Sequence, residues 1–313
     1  MKKVLFLMVI AMLVLAACDG GDLRLNMATG GVAGTYYPFG GAMAVVINDR
    51  TDINVTVMAS GASADNIQQI SVGDAHIAIA QNDVMSYAFT GTGIWSEREP
   101  VTNIATLMSL YPETVQIIVL ADSDIYSVAD LAGRRVSIGD VGSGVEANAL
   151  QVLAAYGLTR DDITPINLAF GGSADAMRDL TLDAFFVTAA TPNTAVMELS
   201  TARDLRLLNL SQAAITQLMN DHAFYVQVSV DASDGYPWME QAINTVAVQA
   251  TLIASTDLDE QAAFDIVQAL IEGRADVAHA RGAYISAQNA VQSVSVDFHP
   301  GARRFFQEIG VLD

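Results

Sequence analysis

The sequence contains one cysteine and two lysines in 313 residues. With Cys18 as the only thiol, no disulfide can form within the chain and no site of several thiolates can hold a metal. Both lysines, Lys2 and Lys3, lie at the N-terminus, so the rest of the chain offers none for a Schiff base or a P-loop. Disulfide-stabilised domains, Schiff-base enzymes and P-loop nucleotide binders are therefore excluded.

Common catalytic motifs are missing as well. The sequence has no G-x-S-x-G nucleophile elbow and no H-E-x-x-H zinc motif. Carboxylates are plentiful, but no pair of them is marked out by its position. We therefore expect no enzyme activity, no cofactor and no metal, and histidines that are solvated or packed in the core. The four histidines are His76, His222, His279 and His299.

The N-terminal segment is typical of a secretory signal. Two lysines precede an apolar run over residues 4–15, which is too short to span a bilayer. The tetrad LAAC that ends at Cys18 resembles a bacterial lipobox, in which a peptidase cuts before the cysteine and a lipid is added to its thiol. This resemblance implies a signal peptide over residues 1–17, lipidation at Cys18, and a periplasmic or cell-surface protein anchored to the membrane by its lipid.

The chain after the signal is strongly acidic. The whole sequence has 15 basic and 35 acidic side chains, and loss of both lysines with the signal leaves a formal charge near −22. Such a surface repels nucleic acid and anionic lipid, so neither is expected as a partner. We expect a monomer that contacts the membrane only through its lipid anchor.

The length of the chain predicts two lobes. Roughly 295 residues follow the signal, which exceeds the usual size of a single core. No Pro-rich or Gly/Ser-rich linker separates two halves, so the chain is expected to cross between lobes more than once. Short apolar runs alternate with helical patterns, as in parallel α/β sheets. The predicted strands begin at Leu23, Ile53, Ala75, Val115, Arg135, Ile163 and Asp183, and the predicted helices cover 39–48, 64–72, 146–156, 173–180, 238–254 and 259–272.

A glycine-rich segment follows the first predicted strand. This segment, ATGGVAGTYYPFGG at residues 28–41, precedes a helix expected to begin near Tyr37 or Pro38. Glycines allow sharp turns and leave backbone amides uncovered, and a helix start adds unpaired N–H groups and the positive end of its dipole. The segment therefore predicts an anion-binding turn. Thr35, Tyr36 and Tyr37 are either ligand contacts at its mouth or ordinary packing of the helix start.

The same design recurs later in the chain. The predicted strand RVSIGD leads into VGSGVE and a helix, which Ser143 can cap with Glu146 as its capping-box partner. Ser143 is thus a cap alone, or a cap that also meets a ligand beside Gly144. The spacing of Gly142, Gly144 and Ala147 also fits a dinucleotide loop, but nicotinamide cofactors are scarce outside the cytoplasm, which disfavours that alternative. Two strand, glycine-loop and helix units can face each other across a cleft.

Two further strand ends carry side chains that could meet a ligand. Gln81, Asn82 and Asp83 follow the strand AHIAIA; Gln81 is a ligand candidate, and helix capping by Asn82 or Asp83 is an equal alternative. Phe186 and Thr188 lie on one face of the strand DAFFVTA, because side chains alternate along a strand. They provide a stacking wall and a hydroxyl, or else a core ring and a solvated hydroxyl.

Five segments in order resemble the TAXI subgroup of solute receptors for tripartite ATP-independent periplasmic (TRAP) transporters. They are ATGGVAGTYYPFGGAMA, SGASADNIQQISVGDAHIAIAQNDV, SVADLAGRRVSIGDVGSGVEANALQVLAAYGL, LDAFFVTAATP and FHPGARRFFQEIG. The resemblance implies the type II periplasmic-binding-protein fold, in which two doubly wound α/β lobes are joined by a hinge with a ligand cleft between them. With this fold, we expect lobe 1 in residues 18–115 and 229–313 and lobe 2 in residues 116–228.

The resemblance also implies a function. Such receptors bind glutamate and related amino or dicarboxylic acids and deliver them to a sodium-coupled permease, without hydrolysing ATP. Two departures from the family pattern fall at the expected pocket: AATP stands where many relatives have a glycine before the proline, and QND replaces the more frequent Q-S-D. Carried over by motif, the ligand-binding residues are Thr35, Tyr36, Tyr37, Gln81, Ser143, Gly144, Phe186 and Thr188.

The expected mechanism is cleft closure, in which the second lobe completes the shell around a ligand bound to the first. Arg134 and Arg135 could help to compensate an anionic ligand, although arginines that begin a strand are more often solvated. Two other classes are compatible with the sequence. One is a lipoprotein receptor of an ABC importer or a sensor, which shares the fold, and the other is a hydrolase on an α/β scaffold.

Overall fold

The computed structural model describes residues 23–233 and 235–313. The predicted signal peptide and the predicted lipidation site, Cys18, lie outside these residues. Within the described ranges, no helix combines the length and the apolar character needed to cross a membrane.

Ten strands in the described residues form one mixed sheet. They are β1 (Leu23–Ala28), β2 (Ile53–Met58), β3 (Ile77–Gln81), β4 (Ile104–Leu120), β5 (Arg135–Ser137), β6 (Thr164–Ile166), β7 (Ala184–Ala189), β8 (Leu205–Leu207), β9 (Val226–Val230) and β10 (Ile243–Ser255). Along the sheet the order is β2-β1-β3-β10-β4-β7-β5-β6, with β8 paired to β4 and β9 paired to β10.

Helices flank this sheet on both faces. They are α1 (Tyr36–Arg50), α2 (Ser63–Val72), α3 (Asn82–Thr90), α4 (Gly144–Ala155), α5 (Phe170–Arg178), α6 (Thr194–Ser200), α7 (Gln212–Asp221), α8 (Glu260–Glu272), α9 (Ala287–Ala290) and α10 (Pro300–Glu308). We call β1 to β3 with α1 to α3 and α8 to α10 the first half, and β5 to β9 with α4 to α7 the second half.

Each half has a helix layer on either side of its strands. In the first half, α1, α8 and α10 pack on one face of the sheet, and α2 and α3 pack on the other. In the second half, α4 and α7 share a core with one face of β7, whereas α5 and α6 share a core with its other face. Two helix layers around each group of strands confirm the predicted α/β architecture.

Two long antiparallel strands, β4 and β10, join the halves, and we call them the crossing strands. β4 has 17 residues and β10 has 13, and each contributes side chains to the cores of both halves. Their pairing changes register between Gln249 and Thr251, next to Pro112, which has no N–H to donate. The chain therefore passes from the first half to the second within β4 and returns within β10.

Several elements confirm the sequence-based expectations. β1 and β2 begin where they were predicted, at Leu23 and Ile53. The helices α1, α2, α4 and α8 cover the predicted segments with ends that differ by a few residues. Each of these segments carries a local signal in its own sequence, either an alternation of apolar and polar residues or an apolar helical repeat.

The predicted helix over residues 238–254 is wrong, because Ile243–Ser255 is the strand β10. β10 lies in the centre of the sheet and is buried on both faces, so its apolar residues do not alternate with polar ones. Such a run fits a helical repeat as well as a strand. The β-branched residues Val246, Val248 and Ile253 were the signal for a strand.

Candidate functional site

A cavity of about 290 Å³ lies between the two halves. Loops that follow β1, β2, β5 and β6 form its walls, and residues from the ends of β3 and β7 and from the middle of β4 form its floor. The cavity therefore lies at the carboxyl ends of the parallel strands, where open α/β sheets bind ligands. The floor residues are Gln81, Glu113, Thr188 and Ala189.

The loop after β1 forms part of the cavity wall in the first half. Its glycines Gly30, Gly31 and Gly34 belong to the described residues and are not among those with positive φ. At Gly34 there is little space for a side chain, because a Cβ built on it would lie 3.2 Å from the Gly31 carbonyl oxygen. The same Cβ would lie 3.8 Å from the ring of Phe170 in the second half. In this loop, glycine permits close approach rather than a left-handed turn.

The helix after this loop brings two of its three predicted residues to the cavity. Thr35 precedes α1, and Tyr36 begins it, and both line the cavity. Tyr36 is buried and donates its hydroxyl hydrogen to Oε2 of Glu113 over 2.6 Å. Tyr37 does not line the cavity and is 36% exposed, because successive residues of a helix point about a quarter turn apart. The assignment of Tyr37 to the ligand shell is therefore not supported by its position.

The loop after β5 forms the facing wall. Gly139 and Gly142 have φ of +90° and +74°, a conformation that side chains other than glycine rarely adopt. Ser143 Oγ accepts from the backbone N–H of Glu146 at 3.2 Å, which confirms the predicted cap. The Glu146 carboxylate accepts from the N–H of Gly142 at 2.8 Å and not from that of Ser143, so the reciprocal bond of the predicted capping box is not formed. Ser143 and Gly144 both line the cavity, so the cap and the cavity wall share one residue.

The two halves touch across the cavity through Gln81 and Gly144. A Cβ built on Gly144 would lie 1.6 Å from Oε1 of Gln81, so only glycine leaves room for this amide. A second close approach lies between the loop after β5 and the start of α2, where a Cβ on Gly142 would be 3.8 Å from the Cβ of Ala64. Packing across the cleft therefore requires glycine at position 144.

Asn82 and Asp83 serve the junction between the halves rather than the cavity. Asn82 Oδ1 accepts from the backbone N–H of Gln249 on β10 at 3.1 Å. Asp83 Oδ2 accepts from Asn148 Nδ2 on α4 at 2.9 Å, and the same amide donates to the hydroxyl of Tyr225 at 2.8 Å. Burial raises the pKa of Asp83 to about 6. The bond between Asp83 and Asn148 connects α3 of the first half to α4 of the second.

The strand β7 delivers Thr188 to the cavity floor but leaves Phe186 in the core. Thr188 lines the cavity, and its buried Oγ1 has no hydrogen-bond partner among the described residues. Phe186 is 1% exposed and packs in the core of the second half with residues such as Val136 and Val145. The alternation of the strand gives both residues the same face, but Phe186 lies two residues deeper. Its predicted role as a stacking wall is therefore not supported, and the core alternative describes it.

Glu113 is the functional candidate that sequence reasoning missed. It lies on β4 opposite Val248 of β10, is 2% exposed, and lines the cavity. Burial raises its pKa to about 8; the negative charge of Asp83 adds to this rise, and hydrogen bonds from Tyr36 and Gln81 oppose it. A signal was present, since an acidic residue directly after Pro112 interrupts the apolar run LYPETVQIIV.

Among the residues that the structure describes, no cationic side chain lines the cavity. Arg134 and Arg135 do not line it, and they pair instead with Asp124 at 2.8 Å and Asp183 at 2.6 Å. Two carboxyl groups do line it, Glu113 and Asp140, and burial also raises the pKa of Asp140. Positive potential in the cavity must therefore come from the backbone, and the starts of α1, α2, α4 and α5 all lie in its walls.

This architecture, with a cavity between two α/β halves joined by crossing strands, is that of periplasmic binding proteins. The chain is similar to the periplasmic binding protein BugD, with a TM-score of 0.59 at 13% identity over 93% of this chain and 94% of that one. A structure from Bordetella bronchiseptica RB50 gives 0.54 at 17% identity, covering 91% and 82% of the two chains. A Listeria monocytogenes protein described as an L-cystine ABC transporter gives 0.52 at 10% identity, covering 86% and 98%. At these identities the likeness shows the fold, and it confirms the predicted fold class.

The sequence comparison identifies the family. The model of the NMT1-like family matches residues 27–310, which is nearly the whole of the described chain. The protein therefore belongs to the NMT1-like family.

Proposed function

We propose that this protein is an extracytoplasmic solute-binding protein that captures a small carboxylate-bearing solute, such as an amino acid or a related carboxylate, and delivers it to a membrane permease. The observation that carries the proposal is the arrangement of helix starts around the cavity. α1 and α2 begin there from the first half, and α4 and α5 begin there from the second. Helix N-termini bind anions through unpaired N–H groups and the positive end of the dipole.

Three of these four helices lack a side-chain cap. Thr35, Ala62 and Ala169 occupy the N-cap positions of α1, α2 and α5, and in the described structure none of them accepts a hydrogen bond from its helix. Ala62 also has a φ of +71°, which costs free energy for a residue with a side chain. A carboxylate in the cavity can accept from first-turn amides that no protein side chain satisfies.

Closure of the two halves is the proposed mechanism of capture. We place the lobe boundaries within β4 and β10, where the chain crosses. Val230 and Ile243 pack with Phe185 in the second half, which favours a return crossing later than the sequence-based boundary at residue 229. A dissociation constant near 1 μM corresponds to roughly −8 kcal/mol, and several charge-assisted hydrogen bonds in a water-excluded cavity can supply it.

A ligand screen tests this function directly. The purified protein would be heated with single amino acids, dicarboxylates and monocarboxylates at about 100 μM. For a ligand with a dissociation constant near 1 μM, mass action stabilises the native state by about 2.7 kcal/mol, which is a readily measured rise in Tm. Recovery of unaltered ligand after incubation would argue against a hydrolase. If no carboxylate raises Tm, the proposed function is wrong.

The proposed partner is a TRAP-type permease, on the strength of the sequence resemblance to TAXI receptors. An ABC importer is the alternative partner, because its binding proteins share this fold. The candidate permease would be reconstituted into proteoliposomes, and the protein and labelled ligand would be added to the external solution. Uptake driven by a sodium gradient without ATP supports the first partner, whereas uptake that requires ATP hydrolysis supports the second. The lipid anchor at Cys18 belongs to the same proposal, and mass spectrometry of the membrane-extracted protein tests it.

A further inference from the structure

Side-chain oxygens of Gln81, Glu113 and Thr188 lie in the floor of the cavity, and the amide of Gln81 also donates to Glu113. Oε2 of Glu113 accepts from Tyr36 at 2.6 Å, and this carboxyl group faces no cationic side chain in the cavity wall. A buried carboxylate without a cationic partner is costly, so the group takes up a proton unless a positive charge compensates it. The described residues of the wall offer no lysine, arginine or histidine for that purpose.

Two unpartnered oxygens lie beside this carboxyl group. Gln81 and Thr188 are 2% and 4% exposed, and Gln81 Oε1 and Thr188 Oγ1 have no hydrogen-bond partner among the described residues. The sheet brings them to Glu113. Gln81 pairs with Ala250 on β10, close to the partner of Glu113, and Thr188 pairs with Val115, two residues along β4. Buried polar atoms in native structures are nearly always paired, so these oxygens point to a hydrogen-bonding group that arrives with the ligand. The Gln81 carbonyl oxygen can only accept, so it requires a donor, whereas the Thr188 hydroxyl can accept or donate.

The walls have the opposite character. The starts of α1, α2, α4 and α5 present N–H donors, whereas the floor presents carboxylate, carbonyl and hydroxyl oxygens. A ligand that satisfies both surfaces needs a negative group toward the walls and a positively charged donor toward the floor.

We propose that Glu113 is the specificity-determining residue of this cavity: its carboxylate and the Gln81 carbonyl oxygen hold a protonated amine of the ligand, while the helix starts hold the ligand's carboxylate. This inference rests on the proposed function and narrows it from carboxylates in general to zwitterions. Thr188 completes the acceptor set around the amine. A dicarboxylate without an amine leaves the floor oxygens unpaired and is rejected for that reason.

Under this proposal, ligand binding is linked to the release of a proton from Glu113. Burial raises the pKa of Glu113 to about 8, so the group is largely protonated at neutral pH when no cation faces it. A bound ammonium favours the ionised form, and binding therefore releases a proton. The groups that face Glu113 or share its surroundings are Tyr36 from α1, Tyr111 from β4, Asp83 from α3, Asp140 from the wall and Arg281, which acts on Tyr111.

Calorimetric titration with matched pairs of compounds tests the proposal. Each pair differs by one amino group: glutamate and glutarate, leucine and 4-methylpentanoate, phenylalanine and 3-phenylpropanoate. We expect at least one amino acid to bind about 30-fold or more tightly than its amine-free partner. Amine-free acids that bind equally well or better would overturn the role of Glu113 and leave the proposed function intact. If no member of any pair binds, the proposed function itself fails.

The variant E113Q supplies a second arm with the same compounds. We expect it to lower the affinity for the preferred amino acid by about 30-fold or more and to change the affinity for the amine-free acids by less than about threefold. Circular dichroism and the Tm of the free variant verify folding. Equal losses for both members of a pair would contradict specific amine recognition.

The wild-type protein gives a third arm that needs no variant. The affinity for the amino acid should rise between pH 6 and 8, and titration in two buffers of different ionisation enthalpy should show proton release. An affinity that falls over this range, with proton uptake, would mean that protonated Glu113 donates to a ligand carboxylate, and would overturn the proposal.

Discussion

The hydroxyl of Tyr36 donates to Oε2 of Glu113 over 2.6 Å, and this bond joins the start of α1 to the crossing strand β4 beneath the cavity. The two residues are 77 positions apart in the sequence. Both are buried, and the bond connects the cavity wall to a strand that runs through both halves. The loop after β1 thus has a fixed position relative to the cavity floor.

Removing this hydroxyl should destabilise the protein. Y36F leaves the buried Glu113 carboxyl group with one donor fewer, and we expect the free energy of unfolding to fall by about 1–3 kcal/mol at pH 8. Y37F is the matched control, because Tyr37 is part-exposed and outside the cavity, and its effect should stay within about 0.5 kcal/mol. Urea denaturation of both variants provides the comparison, and equal effects would show that the bond has no special weight.

A comparison of two serine N-caps distinguishes an effect on stability from an effect on ligand binding. Ser143 caps α4 and Ser211 caps α7, each by accepting from a backbone N–H at 3.2 Å. S143A and S211A should each cost about 1 kcal/mol of stability. Only S143A should also lower the affinity for the ligand that gives the largest thermal shift, because Ser143 lines the cavity and Ser211 does not. Unchanged affinity in S143A would mean that this serine is a cap alone.

The contact between Gln81 and Gly144 predicts that G144A impairs closure. The added methyl group would overlap Oε1 of Gln81, so we expect affinity to fall at least about tenfold and ligand-induced compaction in small-angle scattering to decrease. G41A is the control, since a Cβ at Gly41 meets nothing within 4 Å. Because Gly41 lies inside α1, G41A should add about 0.5–1 kcal/mol of stability and leave affinity unchanged. Wild-type binding by G144A would refute the closure contact.

The contribution of two buried carboxyl groups, Glu113 and Asp83, to the stability of the ligand-free protein should fall as pH rises from about 5 to 8. Burial lowers the pKa of His222, His279 and His299, and these groups act in the opposite direction below their unfolded pKa. Burial raises the pKa of Glu113 from 4.5 to about 8, so over this range the folded state binds more protons than the unfolded state. Asp83, whose pKa burial raises from 3.8 to about 6, adds to the lower part of the range. The stabilisation from these two groups is complete at pH values below their pKa in the unfolded chain. It is lost as the pH rises past their pKa in the folded protein.

The variant E113Q isolates the larger of these two contributions. Chemical denaturation at several pH values and constant ionic strength should give a shallower decline for E113Q than for the wild type, chiefly above pH 6. Each unit of pKa difference corresponds to about 1.4 kcal/mol, so the divergence should be measurable. Parallel declines would indicate that Glu113 titrates normally in the folded protein.

Local patterns predicted much of the fold and both cavity walls. A strand, a glycine-rich turn and a helix start are contiguous in the sequence, so the loops around Tyr36 and Ser143 could be read directly. β10 could not, because a strand buried on both faces loses the alternation that distinguishes it from a helix.

The floor of the cavity depends on pairing between distant segments. Glu113 reaches the cavity because β4 pairs with β10 and β7, and these registers are not encoded near Glu113 itself. Strand alternation gave the correct face for Phe186 and Thr188 but not their depth, which depends on where β7 ends relative to the loops. Tertiary pairing therefore decided which of the candidate residues meet the cavity.

A crystal structure of the protein with the compound that gives the largest thermal shift tests the central claim most directly. The account predicts ligand density in the cavity between Tyr36 and Ser143, with its carboxylate within hydrogen-bond distance of amides at the helix starts. Density at another surface, with this cavity left empty, would contradict the account.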